Sequence, residues 1–127
     1  FFRQQMVRDG NICFAENLGA GRELLCSEET DFVFQCVRCG GKGRFVPLIT
    51  VYHPIKGDLW EPGRILRVDK ARSYVLYKNR TVPEAVVRLG LGLLVLTACA
   101  LWSKVGRERL AARVDGVIRS ARDSRAA

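Results

Sequence analysis

The chain has 127 residues, of which 48% are hydrophobic and 27% are charged, and its net charge is +8. This length suits one compact domain of about 100–150 residues, and the composition argues against both a disordered chain and a protein with several membrane spans. Because the chain has 21 Lys and Arg residues but only 13 Asp and Glu residues, we expect an anionic partner. The basic residues are spread along the chain without interleaved aromatic residues, which argues against nucleic acid as that partner.

Residues 1–81 are predicted to form a small β-rich domain. Short apolar or alternating runs occupy residues 32–37, 44–53, 63–68 and 73–78. Gly, Pro and charged residues separate these runs, a pattern typical of short antiparallel strands. The sequence CGGKGR is predicted to be the hairpin loop between the first two strands, and Pro47 places the second strand at a sheet edge or a bulge.

Four of the five cysteines belong to this region: Cys13, Cys26, Cys36 and Cys39. The sequence CVRCGGKGR at residues 36–44 resembles one knuckle of a zinc ribbon, in which two thiolates hold one side of a tetrahedral metal. The resemblance implies a zinc site of four cysteines, or of three cysteines with His53. The second knuckle is missing, since 12 residues separate Cys13 from Cys26. Disulfide bonds are therefore favoured over zinc, and free or partly buried thiols are equally open as an alternative to both.

Residues 82–103 are predicted to form one transmembrane helix. The sequence VPEAVVRLGLGLLVLTACALWS has 22 residues, enough at about 1.5 Å per residue to cross roughly 30 Å of hydrocarbon. Its two charged residues, Glu84 and Arg88, lie in the first two turns. From Leu89 to Leu101 the helix is apolar on every side, and a domain of this size rarely covers such a helix. A buried core helix is the alternative.

The residues around this helix have the chemistry of lipid contacts. An indole followed by basic residues matches the interfacial anchors of a membrane helix. The predicted contacts with lipid or a partner are Arg88, Trp102, Lys104, Arg107, Arg109 and Arg113. In residues 104–127 apolar residues recur at helical spacing, which predicts a basic amphipathic helix. We expect that helix to bind anionic lipid such as cardiolipin, or another subunit, and a solvated tail is the alternative.

The sequence contains no recognisable catalytic constellation, so we expect a non-enzymatic α+β membrane protein without a cofactor. The chain begins at Phe1 and not at a Met residue. We expect either that a targeting peptide has been removed or that further residues precede Phe1. We predict a single-pass accessory subunit of a large energy-converting complex, with the mitochondrial inner membrane favoured over the thylakoid. Two other functions stay open: a zinc- or thiol-dependent anchored protein that uses Cys36 and Cys39, and a stand-alone membrane-anchored binding domain.

Overall fold

The computed structural model describes residues 3–44, Pro47 and residues 61–126. Five helices lie in these residues: α1 (Gln4–Asp9), α2 (Glu28–Arg38), α3 (Pro62–Lys78), α4 (Pro83–Trp102) and α5 (Lys104–Ala126). This described part contains no strand, and its one isolated bridge pairs Leu18 with Leu24. The predicted α+β class with a β-rich domain is therefore wrong. The predicted strand at residues 44–53 lies outside the described residues except for Arg44 and Pro47.

The predicted strand at residues 32–37 is the middle of α2. Phe32 and Cys36 face a small apolar cluster with Ile12, whereas Phe34 faces the main core. Residues two apart on a helix point about 200° apart. A helix that lies between two apolar clusters therefore has apolar side chains at every second position, as a strand does. This pattern of apolar residues led to the wrong prediction of a strand.

The sequence CGGKGR ends α2 and does not connect two strands. Gly40 has a φ of 80°, and its N–H donates to the carbonyl oxygen of Val37 at 3.0 Å. The N–H of Gly41 donates to the carbonyl oxygen of Cys36 at 2.9 Å. These two bonds form a Schellman motif, which ends a helix with a residue in the left-handed conformation. The predicted hairpin loop is therefore wrong as well.

The predicted strands at residues 63–68 and 73–78 are parts of one helix, α3. The carboxylate of Glu61 caps its first turn, where it accepts hydrogen bonds from the N–H groups of Gly63 at 3.0 Å and Arg64 at 2.9 Å. The charged sequence DKAR at residues 69–72 separates the two runs and was interpreted as a break between strands. Its Lys, Ala and Arg are good helix formers, and the helix continues through it.

Helices α3, α4 and α5 form an up-down-up bundle. The hydrogen bonds from Arg109 to Asp69 and from Tyr74 to Asp123 show that α3 and α5 run parallel. Helix α4 runs in the opposite direction beside α5. Ser103 alone separates α4 from α5, in an extended conformation with φ −147° and ψ 147°, and its hydroxyl accepts a hydrogen bond from the N–H of Gly106 at 2.9 Å.

Charged side chains join α3 to α5. The carboxylate of Asp69 is 1% exposed and accepts hydrogen bonds from the Nε atoms of Arg109 at 2.6 Å and Arg113 at 3.1 Å. Lys70 lies 2.8 Å from the carboxylate of Asp115. Charge-assisted bonds of this kind are stronger than neutral ones, and a carboxylate buried this deeply needs them. The ion pairs therefore specify which faces of α3 and α5 meet.

The two helices approach each other closely at Gly116. A Cβ atom at this position would overlap the carbonyl oxygen of Lys70 and lie 3.1 Å from the backbone nitrogen of Tyr74. Both obstacles are backbone atoms, so a side chain could enter only if α5 moved away from α3.

The main apolar core lies where α3 meets α2, the start of α4 and the loop before α2. Its buried members are Leu18, Leu24, Phe34, Ala71, Tyr74, Val75, Leu76, Val82 and Ala85. Beside it, the buried carboxylate of Asp31 accepts hydrogen bonds from Lys78 and Asn79, both at 2.8 Å, and from Gln35 at 3.0 Å. This fully paired carboxylate attaches α2 to the end of α3.

We expect Gly116→Ala to lower the free energy of unfolding by about 1–3 kcal/mol, because the new methyl group pushes the backbones of α3 and α5 apart. The matched control is Gly90→Ala on α4, where a Cβ meets nothing within 4 Å. There the better helix propensity of Ala is expected to be neutral or to stabilise by up to about 1 kcal/mol. Urea unfolding in mild detergent, followed by circular dichroism, measures both. Equal effects of the two substitutions would contradict the close contact at Gly116.

Candidate functional site

Helix α4 is the one helix in the described residues that is long and apolar enough to span a membrane. Its 20 residues extend about 30 Å at 1.5 Å per residue. Only 11% of its apolar stretch is buried inside the protein. The expected apolar helix is thus present, and most of its surface is uncovered.

One stripe of α4 is covered by the neighbouring helices. Ala85 and Leu96 are buried, and Leu89 and Leu93 are half-buried. At 100° per residue these four side chains lie within about 80° of one another. The stripe attaches α4 to the bundle, and the remaining circumference faces outward.

The opposite side of α4 is an exposed apolar surface that we call the apolar arc. Its seven members are Val86, Val87, Leu91, Leu94, Val95, Leu101 and Trp102, and they are 51–88% exposed. Together they cover about 180° of the helix circumference. At one border of the arc, the hydroxyl of Thr97 donates to the carbonyl oxygen of Leu93 at 2.8 Å. Its donor is thus satisfied within the helix. The charged residue on this side of α4, Glu84, lies in the first turn, so the arc is apolar from Val86 to Trp102.

The six residues predicted to contact lipid or a partner fall into two groups. The exposed group is Arg88, Trp102, Lys104 and Arg107. The other group, Arg109 and Arg113, turns inward to Asp69, and the Arg113 side chain is only 12% exposed. Hydrogen bonding to Asp69 raises the pKa of Arg109, although burial opposes the shift. The prediction missed Asp69 because its neighbourhood was assigned to a turn.

The ion pairs between α3 and α5 lie beside the middle of α4. The guanidinium group of Arg113 occupies the place that a Cβ on Gly92 would take, and Gly92 is the tenth residue of α4. Charged side chains on α3 and α5 therefore flank α4 at half its length. Such charges are costly at the centre of a bilayer. While α3 and α5 remain attached, α4 meets an apolar phase from one side only.

The four cysteines predicted as metal ligands or disulfide partners have different surroundings. Cys13 and Cys39 are exposed, Cys26 is half-buried and Cys36 is buried, all as free thiols. Within the described residues no group of three or more His, Cys, Asp or Glu side chains is arranged to hold a metal, and His53 lies outside them. Burial and, secondly, the neighbouring Cys39 raise the pKa of the Cys36 thiol. Zinc binding and disulfide pairing stay predictions.

Comparisons with known proteins identify no relative. The chain matches no protein-family model, no curated protein and no solved structure. A function for this protein is therefore inferred from its own residues.

In the reduced protein we expect iodoacetamide to modify Cys39 well before Cys36 at about pH 7, because the thiolate is the reactive form and a raised pKa keeps Cys36 protonated. Raising the pH toward the pKa of Cys36 is expected to accelerate its modification. Trypsin cleaves after Arg22 and Arg38, so Cys39 lies on a different peptide from Cys26 and Cys36. Fragmentation of the peptide of residues 23–38 in the mass spectrometer then separates modification of Cys36 from that of Cys26. Equal rates at neutral pH would show that Cys36 is neither buried nor perturbed.

Proposed function

We propose that this protein is a non-enzymatic membrane accessory protein that binds a bilayer through the apolar arc of α4. The apolar arc is the observation that supports the proposal. Burying an apolar side chain of this size is worth about 1.5–3 kcal/mol relative to leaving it in water. Seven such side chains on one helix therefore give a large driving force for leaving water, and contiguous patches of this kind mark binding surfaces.

The width of the arc favours lipid over a single partner helix. A helix that packs against one protein neighbour buries a stripe roughly 100° wide, whereas the arc is about 180° wide. A continuous apolar phase covers the entire arc at once. Exposed basic residues also lie at both ends of α4, namely Arg88 in its second turn and Lys104 just beyond its last residue. Basic residues in these positions match the headgroup anchors of membrane-bound helices.

With the bundle intact, α4 is proposed to lie in the plane of the membrane interface. In this orientation the arc enters the acyl boundary to a depth of about 5–10 Å, and α3 and α5 stay on the aqueous side. The charges of Asp69, Arg109 and Arg113 then remain outside the hydrocarbon.

Crossing of the bilayer by α4 is the second candidate, and the length of 20 residues favours it. Crossing requires α4 to leave α3 and α5, because the charged residues of those helices cannot accompany it through the hydrocarbon. Alkaline carbonate extraction of the native membrane separates the two candidates. An interface-bound protein is released into the supernatant, whereas a protein with a spanning α4 stays in the pellet.

Participation in a larger complex is the remaining part of the proposal. An acidic subunit is a suitable partner, since the exposed Arg122 and Arg125 lie near the end of α5. The organellar energy-converting complex predicted from the sequence is tested by native-gel separation of solubilised membranes. Co-migration with a large assembly supports the accessory role, and migration at the size of the chain alone contradicts it.

We expect Val95→Asp to reduce binding to neutral phosphatidylcholine vesicles by about tenfold or more, because the arc must then carry a charged group into an apolar phase. The matched control is Val114→Asp on α5, which introduces the same charge at another exposed valine, 43% exposed, and is expected to bind like the natural protein. Vesicle flotation measures the bound fraction. If the folded natural protein does not float, or if Val95→Asp floats equally well, the proposed membrane role is wrong.

A further inference from the structure

A cavity of about 460 Å³ lies where helices α2, α3, α4 and α5 meet. Its wall includes three arginines, one from each of the last three helices: Arg72, Arg88 and Arg113. Ser27 and Thr30, at the start of α2, add two hydroxyl groups to the wall. Residues that are far apart in the sequence therefore converge on a cavity suited to an anion.

The positive charge of this cavity is not neutralised by the described residues. Asp69 pairs with both Arg109 and Arg113, so these three side chains together retain one positive charge. Arg72 and Arg88 are exposed and form no hydrogen bond or ion pair with another described residue. Within residues 3–44 and 61–126, no side chain competes with a ligand for either guanidinium group.

The cavity borders the apolar arc. On α4, Arg88 points within about 20° of Val95, which belongs to the arc, and about 80° away from Leu96, which belongs to the covered stripe. Arg88 thus lies at the boundary between the exposed apolar surface and the polar bundle. When the arc enters the acyl region, this boundary is at the depth of the headgroups.

We infer that the cavity binds the phosphate group of an anionic phospholipid whose acyl chains lie against the apolar arc. The inference rests on the proposed membrane association and specifies the ligand of the same surface. Arginine is suited to this ligand because its planar guanidinium group forms paired hydrogen bonds with phosphate oxygens. Inorganic phosphate provides the same charge chemistry, but it lacks the chains that the arc contacts, so the lipid is the tighter ligand.

The experiment compares flotation of the full-length protein with vesicles of phosphatidylcholine alone and with vesicles that also contain phosphatidylglycerol. We expect the natural protein to prefer the mixed vesicles, and the double variant Arg72→Gln/Arg88→Gln to lose about tenfold or more in that preference. The matched control is Arg8→Gln/Arg22→Gln, which removes the same charge at two exposed arginines outside the cavity. It is expected to lose less than about threefold, and circular dichroism checks that both variants are folded.

Each other outcome identifies a specific error. Equal losses in the two double variants would mean general attraction of a basic protein to an anionic surface, which overturns the cavity as the site. Competition by inorganic phosphate that exceeds the effect of chloride at the same ionic strength, and that abolishes the preference, would identify a free-phosphate site and overturn the lipid. Failure of the natural protein to bind phosphatidylcholine vesicles would instead overturn the proposed membrane role.

Discussion

The packing of α5 on α3 determines the geometry of the rest of the bundle. The buried carboxylate of Asp69 is held by two guanidinium groups of α5, and Gly116 brings the two backbones into contact. Because Ser103 alone joins α4 to α5, fixing α5 also fixes α4 beside it. Only one stripe of α4 is then covered, and the apolar arc faces outward.

This arrangement makes the bundle as a whole amphipathic. On α5 the residues buried against its neighbours are small, namely Gly106, Gly116 and Ser120, whereas Val114 and Ile118 are each 43% exposed. The apolar stripe of α5 is therefore not its main packing face. The apolar arc lies on α4, and the charged side chains that join α3 to α5 lie on the opposite side of that helix. The amphipathic unit is assembled by folding, because no single helix contains both surfaces.

The apolar helix was predictable because its signal is local. Length and an uninterrupted apolar composition identify α4 without knowledge of its neighbours. The start of α3 was also readable, since Glu61 followed by Pro62 is a typical helix beginning. The acidic first turn of α2 is a similar signal, because Glu28, Glu29 and Asp31 interact favourably with the helix dipole. The prediction of strands used the alternating and β-branched residues that follow and did not use these two signals.

The remaining features depend on contacts between residues distant in the sequence. The alternation in α2 arises because Phe34 faces the main core while Phe32 faces a second cluster, and neither cluster is visible in the sequence. In the sequence, Asp69 is a residue type that is common in turns. Its role is visible only in the fold, where Arg109, 40 residues later, pairs with it. Similarly, Arg88 and Arg113 were predicted to contact lipid or a partner, but Arg72 joins them only through the folding of α3 against α4 and α5.

Helix α4 is proposed to contact lipid with one half of its surface while the other half stays on the bundle. The most direct measurement places single nitroxide spin labels along residues 86–102 of the full-length protein bound to phosphatidylcholine vesicles. At each position, the relaxation of the label by oxygen is compared with its relaxation by a water-soluble nickel complex. We predict that the ratio oscillates with a period of about 3.6 residues, high at Val87, Leu91 and Leu94 and low at Leu89 and Leu96. A ratio that is high on every side of α4 and greatest at its middle would show a helix surrounded by lipid, and would contradict the claim.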